Sequence, residues 1–238
     1  MKLDIILDWL DKTLSIADFK DDISNNGLQI ERNEGPIRKV AFAVDASVKS
    51  AEEAIAQGAQ LLVVHHGISW GGGIKKIVGG IRKVMTTCTE GNLAIYAAHL
   101  PLDANRRVGN NWELARLIGL RKVFPAFSYE GYKIGVIGYL PRGRKAVIGG
   151  KEYDFPAGRV GVCSGAGGNF AEEAKDLGCK SYLTGEAGWD DQVAAENAGA
   201  HMICAGHYET EVFGVKALCK LMAEELEIKT LFVGDPCE

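Results

Sequence analysis

"VAFAVDASVKSAEEAIAQGAQLLVVHH", residues 40–66, reads as strand, helix, strand. "VAFAV" (40–44) is a continuous apolar run, the pattern of a strand covered on both faces. Ser47 suits a helix N-cap, "VKSAEEAIAQG" a helix closing at Gly58, and "LLVVHH" (61–66) a second buried strand. Such a unit argues for an α/β fold with parallel strands. It ends in two adjacent imidazoles, His65 and His66, just where an apolar strand should finish.

Outward from this unit the pattern continues. Leu3, Ile6, Leu7, Leu10 and Leu14 make one helical stripe, and "NNG" (25–27) is a turn signal. A glycine-rich loop (71–73), a short helix near 80–90, a third buried strand "LAIYAAH" (93–99) and a helix at "WELARLIGL" follow. Between 130 and 163 the runs "YKIGVIGYL", "KAVIGG" and "GRVGVC", separated by Gly and Pro, read as hairpins. "EVFGVKALCKLMAEEL" (211–226) is a long amphipathic helix. The composition shift near 125–130 divides the chain into an N-terminal α/β lobe, 1–127, and a C-terminal α/β lobe, 128–238. The last helix is free to pack across onto the first lobe.

The order of elements repeats. At a constant offset of 120, Val40 meets Val160, "AEEA" at 51–54 meets "AEEA" at 171–174, and Gly58 meets Gly178. The second strand of each copy then ends at His65–His66 or at Gly185–Glu186. At an offset of 108, "AHLPLD" (98–103) meets "GHYETE" (206–211), so each copy has His-x-x-x-carboxylate just after a strand. Chance could supply the AEEA match alone, but ligand-type residues at both copies' strand ends make chance the weaker account.

Composition excludes several classes. The chain has 238 residues, 47% hydrophobic and 24% charged, with a formal net charge of −4. That is globular and lacks the basic footprint of a nucleic-acid binder. "RGRK" (142–145) and Arg106–Arg107 read as solvated surface. The start of the chain mixes acids with apolar residues, unlike a secretory leader, and no apolar run is long enough to span a membrane. The six cysteines (88, 163, 179, 204, 219, 237) form no CxxC pair and read as reduced thiols of a cytoplasmic protein.

Four of the five histidines, His65, His66, His99 and His207, fall at expected strand ends, where α/β sheets collect their sites. The fifth, His201, reads as structural or surface. Neighbouring strand residues point to opposite faces, so His65 and His66 converge only where the strand has ended, and Gly67 permits such a turn. His207 and Glu211, four apart, share a helical face. Asp103 follows Pro101, which argues against a regular helix there, so it reaches in from a loop. His65, His66, Asp103, His207 and Glu211 then make a nitrogen–oxygen site for two divalent ions, with the Glu211 carboxylate as the bridge. Such ligands suit Zn, Fe, Mn, Ni or Co without choosing among them. The plain alternative for Glu211 is a carboxylate stabilising a helix N-terminus.

"VVHHG", "AHLPLD", "SNNGLQI", "SGAGG", "YLTGE" and "AGHYETE", in this order, resemble the Nif-three-like dinuclear metal-centre proteins, many of which are labelled GTP cyclohydrolase I type 2 homologues. The resemblance covers nearly the whole chain. It implies two interlocked, related α/β lobes with mixed sheets and the metal site between them. It also implies a ring-shaped homohexamer and a dinuclear centre at the five residues above, with Glu211 bridging and His99 beside the ions. Where the family usually has proline after the paired histidines, this chain has Gly67. Where it often has histidines soon after "TGE", this chain has "AGWDDQ", so Trp189, Asp190 and Asp191 either substitute or lie on the surface.

Hydrolysis is the natural chemistry of two clustered metal ions. The cyclohydrolase label implies opening of the guanine imidazole ring of GTP at C8 with release of formate. His99 is a candidate proton shuttle. Glu186, aligned with His66, is either an acid–base residue or a strand-end carboxylate. "SGAGGN" (164–169) offers an anion cradle through Ser164, Gly165, Gly167 and Gly168, or else a tight strand-to-helix turn. Competing with a nucleotide hydrolase are a non-catalytic metal-binding or metal-delivery protein and an interaction scaffold; fold alone does not decide.

Overall fold

The computed structural model describes residues 1–234. Its contacts form two compact units, Asp103–Gly214 and the remainder, Met1–Leu102 with the segment from Val215 onward.

The first unit opens with α1 (Leu3–Leu14), which buries Ile6, Leu10 and Leu14 of the expected stripe and stops at Ser15 in the left-handed region. After it come β1 (Gly27–Ile30), β2 (Lys39–Asp45), α2 (Val48–Ala56), β3 (Leu61–His66), α3 (Gly79–Glu90) and β4 (Ala94–Ala97). Ser47 and Ser50 form a reciprocal capping box at the start of α2. β2, β3 and β4 are adjacent and parallel, with Val40 opposite Leu61 and Val64 opposite Ala97. Their apolar runs are continuous because both faces are covered: Val40 to Val44 and Leu61 to Val64 are all buried. Each fully buried Leu, Val or Ile contributes about 1.5–3 kcal/mol by leaving water.

α4 (Leu100–Ala104) carries the chain onward, and the second unit contains α5 (Asn110–Ile118), β5 (Arg121–Tyr129), β6 (Tyr132–Leu140), β7 (Arg144–Ile148), β8 (Lys151–Phe155), β9 (Gly158–Cys163), α6 (Ala171–Asp176), β10 (Cys179–Thr184), α7 (Trp189–Ala198) and β11 (Met202–Cys204). Its five-stranded sheet runs β11-β10-β9-β6-β5, parallel over the first three and antiparallel beyond; β7 and β8 form a separate hairpin. α8 (His207–Leu226) then leads to β12 (Lys229–Phe232), which joins the first sheet beside β2, in the order β1-β4-β3-β2-β12. Both sheets are therefore mixed.

The internal echo is a real structural repeat. β2-α2-β3 corresponds to β9-α6-β10, and in each copy a third parallel strand, β4 or β11, follows. Each third strand gives way to a helix carrying a carboxylate, Asp103 on α4 and Glu211 on α8.

Three readings need revision. The chain does not divide at 127/128: that point lies inside β5, which pairs with β6 from Arg121 to Tyr129. The composition shift marks a two-residue hairpin turn, Glu130–Gly131, with φ of 49° and 83°, the left-handed pair of a type I′ turn. Asp103 is not on a loop but in the single helical turn of α4. Pro101 is tolerated there because the first turn of a helix needs no amide hydrogen. Gly67 does not supply a left-handed turn, since it is not among the residues with positive φ. Glycine is required for space: a Cβ at 67 would collide with the Gln29 side chain and the Ala97 Cβ. Gln29 Oε1 accepts from the amides of Ile68 and Ser69. Gly67→Ala is therefore expected to cost about 1–3 kcal/mol by overpacking, read as a lowered denaturation midpoint; an unchanged midpoint would refute the packing role.

Candidate metal centre

In the first unit three imidazoles gather at the carboxyl ends of β3 and β4. His65 is fully buried and His66 and His99 partly so. Ring centroids lie 4.6 Å apart for His65–His66, 5.2 Å for His65–His99 and 5.8 Å for His66–His99. One nitrogen from each ring falls within 4.8 Å of the others. His66 still belongs to β3, opposite Asp45. The two neighbouring rings nonetheless meet, because each is pulled by its own anchor.

Those anchors share one pattern. His65 Nδ1 lies 3.0 Å from the Ala98 carbonyl, His66 Nδ1 2.9 Å from Asp45 Oδ1, and His99 Nδ1 3.0 Å from Asp22 Oδ1. An ionised carboxylate or a carbonyl oxygen only accepts, so each Nδ1 carries the hydrogen, and a ring in its neutral form has its lone pair on Nε2. This is how metal-ligating histidines are oriented. Asp22 is fully buried at its side chain. Besides His99 it accepts from the Ser24 amide, the Leu100 amide and Asn26 Nδ2. Burial alone would raise its carboxyl, but the hydrogen bond and charge of His99, then Asn26 and Ser24, hold it below the usual value. Trp70 closes one side, 5.1 Å from His99 in an edge-on contact, with its indole N–H donating to the Gly67 carbonyl.

In the second unit His207 and Glu211, at the start of α8, face each other, Nε2 to Oε1 at 3.2 Å, while His207 Nδ1 lies 3.0 Å from Glu186 Oε1. Glu211 is almost completely buried and Glu186 largely exposed. The hydrogen bond to Glu211 pushes the His207 imidazole up to about 9 against the opposing effect of burial, helped by the charge of Glu211 and by Glu186. Asp103, also buried, accepts from Asn110 Nδ2 and the Ser164 hydroxyl. A Cβ at residue 165 would run into the Glu211 carboxylate, so Gly165, at φ 64°, makes room for that side chain.

Three amides of the "SGAGG" loop are spent internally. Ser164 N donates to Asn111 Oδ1, Gly165 N to Thr210 Oγ1 and Gly167 N to Thr184 Oγ1. These three bonds tie the loop to Asn111, Thr210 and the end of β10. Gly168 starts a short 3-10 turn and packs against Ala187. Trp189 is 79% exposed, and Asp191 caps the Gly188 amide of its own helix. His201 is exposed. Of the basic runs, Arg106 lies over the Trp112 ring and Lys145 pairs with Glu152. Cysteines 88, 163, 179, 204 and 219 are free thiols; Cys237 lies outside the described residues. Among the described residues no helix is long and apolar enough to cross a membrane.

Sequence reasoning passed over Asp22, Asp45 and Trp70. Asp45 had a signal, a carboxylate closing an apolar strand one element before the histidines. Asp22 had only its place in the polar run "DDISNNG".

A mixed α/β repeat presents, at its strand ends, oriented histidines and buried carboxylates that could hold a metal ion. The family model for Duf34/NIF3 (NGG1p interacting factor 3) matches residues 1–235, and the chain belongs to that family. It is 40% identical over 245 residues to a protein of Archaeoglobus fulgidus named GTP cyclohydrolase 1 type 2 homolog, with 99% of each chain covered. A Pyrococcus abyssi protein of the same name is 38% identical over 251 residues, again with 99% of each covered. Among solved structures, protein ybgI, described as of unknown function, matches with a TM-score of 0.85 at 28% identity, covering 100% of this chain and 99% of that one. TTHA1606 from Thermus thermophilus matches at 0.79 and 31% identity, with the same coverage.

Proposed function

We propose that the chain is a dinuclear metal-dependent hydrolase acting on a nucleotide, with GTP ring opening and formate release as its reaction. In this reading His65, His66, Asp103, His207 and Glu211 hold two divalent ions, with Glu211 as the shared ligand. The observation that carries it is the common hydrogen-bond pattern of four imidazoles, each with Nδ1 on an oxygen acceptor. The donor set fits: nitrogen and carboxylate oxygen suit borderline divalent metals. Two such ions, when bound, polarise an oxygen-rich substrate and make water a nucleophile near neutral pH.

The chain's own residues do the rest. Asp22 fixes the tautomer of His99, leaving Nε2 to accept or return a proton. Glu186 orients His207, as Asp45 does His66. The names carried by the curated relatives support the choice of substrate. The reading is tested by elemental analysis of the purified protein, followed by a GTP-to-formate assay with the metal found. Formate released in step with GTP loss is expected. A fully loaded protein that releases none would leave metal binding, delivery or scaffolding as the function. The family resemblance also supports a homohexamer, which light scattering would read directly.

Metal uptake should release a proton. In the metal-free protein His207 stays protonated until about pH 9, donating through Nε2 to Glu211 and Nδ1 to Glu186. Because this folded-state value is raised, the imidazolium's contribution to metal-free stability is complete below the unfolded value and is lost as pH rises through 9. A metal ligand must be neutral, so affinity climbs as pH rises over the same interval. A metal titration in weak buffer at pH 7.5 should acidify the solution by about one proton per chain from this residue, and by less above pH 9. Equal proton release at pH 7.5 and pH 10 would contradict it.

A further inference from the structure

We infer that the exposed run "KKIVGG" (75–80), with Arg82 and Lys83 of α3, is a cationic strap that binds the phosphate chain of a nucleotide whose base lies toward the histidine cluster. The inference rests on the nucleotide reading for its choice of ligand and adds the residues that take the phosphates.

Charge is the first support. The chain carries a formal net charge of −4, yet no aspartate or glutamate occurs between Glu53 and Glu90. Lys75, Lys76, Arg82 and Lys83 all fall in that interval. All four are exposed, and among the described residues none of them has an ion-pair partner. Surface cations are ordinarily interspersed with acids. A cluster free of them on an otherwise acidic chain suits a short polyanion, whereas the rest of the surface would repel a long nucleic acid.

Placement is the second. The Trp70 ring lies 5.1 Å from His99 and 6.0 Å from His66. Trp70 forms a backbone bridge with Ser24, and the Gly71 amide donates to the Ile23 carbonyl at 2.6 Å. The strap therefore leaves from a fixed point beside the histidines, and Lys76 is at most about 20 Å of extended chain from it. The partners of the three imidazoles are two carboxylates, a carbonyl, an asparagine and an indole. None of these is a cation, so a triphosphate whose base reaches the rings needs positive charge from the neighbouring chain.

Backbone form is the third. Between Gly73, whose amide donates to Trp70, and Val78, whose carbonyl accepts from Arg82, the chain forms neither helix nor strand. Ile74 and Ile81 pack on the core of the first unit. All residues between them are exposed, Ile77 by 54% and Val78 by 63%. Gly79, at φ 58°, and Gly80 have nothing within 4 Å of where a Cβ would stand. A short span anchored at both ends, with glycine at one of them and open space around it, swings without disturbing the core. Closing on a phosphate chain would cover Ile77 and Val78 as the lysines engage.

The test uses the purified full chain in EDTA, so that metal plays no part, with inorganic tripolyphosphate as the probe. Trypsin cuts after Lys and Arg, and nicks an exposed span without regular structure first. Cleavage after Lys75 and Lys76, read by mass spectrometry, should slow at least about fivefold at saturating tripolyphosphate. Potassium chloride of equal ionic strength should not protect. Calorimetry should show tripolyphosphate binding that weakens with added salt. Lys75→Gln with Lys76→Gln should weaken it at least about tenfold. Lys12→Gln with Lys220→Gln, which removes the same charge from exposed positions on α1 and α8, should leave it unchanged. Lack of protection, or equal affinity in the two double variants, would overturn the inference. Tripolyphosphate held by these lysines in a chain that, metal-loaded, releases no formate from GTP would sink the hydrolase reading alone. Formate release with the same KM in the parent and in Lys75→Gln with Lys76→Gln would sink this inference alone.

Discussion

In the dinuclear reading proposed above, Glu211→Gln is expected to abolish the shared site, with affinity for the second ion falling by more than about 100-fold, since loss of a ligand's mere supporting partner already costs 10–100-fold. The side chain is 3% exposed and faces His207 at 3.2 Å, beside a glycine whose missing Cβ makes room for it. Glutamine keeps the volume but removes the charge and one of the two acceptor oxygens that a bridge requires. The fold should persist, so metal content per chain is the proper readout. If Glu211 served only to favour the N-terminal turn of α8, the substitution would leave metal content intact and lower stability by about 0.3–1 kcal/mol. The two accounts therefore predict opposite results in one measurement.

Asp22→Ala is expected to be the most destabilising single change at the histidine cluster, by about 3–5 kcal/mol, the range for stripping one partner from a buried charged network. Four donors lose their acceptor at once: the amides of Ser24 and Leu100, Asn26 Nδ2 and the His99 ring. Each buried donor left unsatisfied costs about 1–3 kcal/mol, and water entering the vacated space recovers part of it. In a chain of this size that shift is about 10 °C in midpoint. The folded-state carboxyl is lowered, so its contribution is present above the unfolded value and is lost as pH falls through the folded one. The difference between parent and Asp22→Ala should accordingly shrink in acid. A gap that is constant from pH 7 to pH 2 would show that Asp22 acts by packing rather than by charge.

The fold was largely legible because its strands are buried on both faces. "VAFAV" and "LLVV" leave no polar position to confuse period with register, and Ser47 and Gly58 mark the ends of the helix between them. The repeat was legible for the same reason. β5 was not, because "RKVFPAFSY" has an exposed edge, a proline and a bulge in place of clean alternation. The unit boundary was misplaced because a hairpin turn and a linker draw on the same residues, and only pairing tells Glu130–Gly131 from a domain junction.

Sequence by itself brought out the candidates: histidines and acids at strand ends, free of any cysteine pattern, among them groups that could hold a metal ion. Tertiary structure decided what holds those side chains. Asp22 and His99 are 77 residues apart in sequence yet 3.0 Å apart in space, and Gln29 fills the room that Gly67 leaves. Ligand identity is local, carried by residue type and a few positions of spacing. Ligand orientation depends on hydrogen bonds between segments remote in the chain, and no periodicity records which acceptor the fold will bring to which ring.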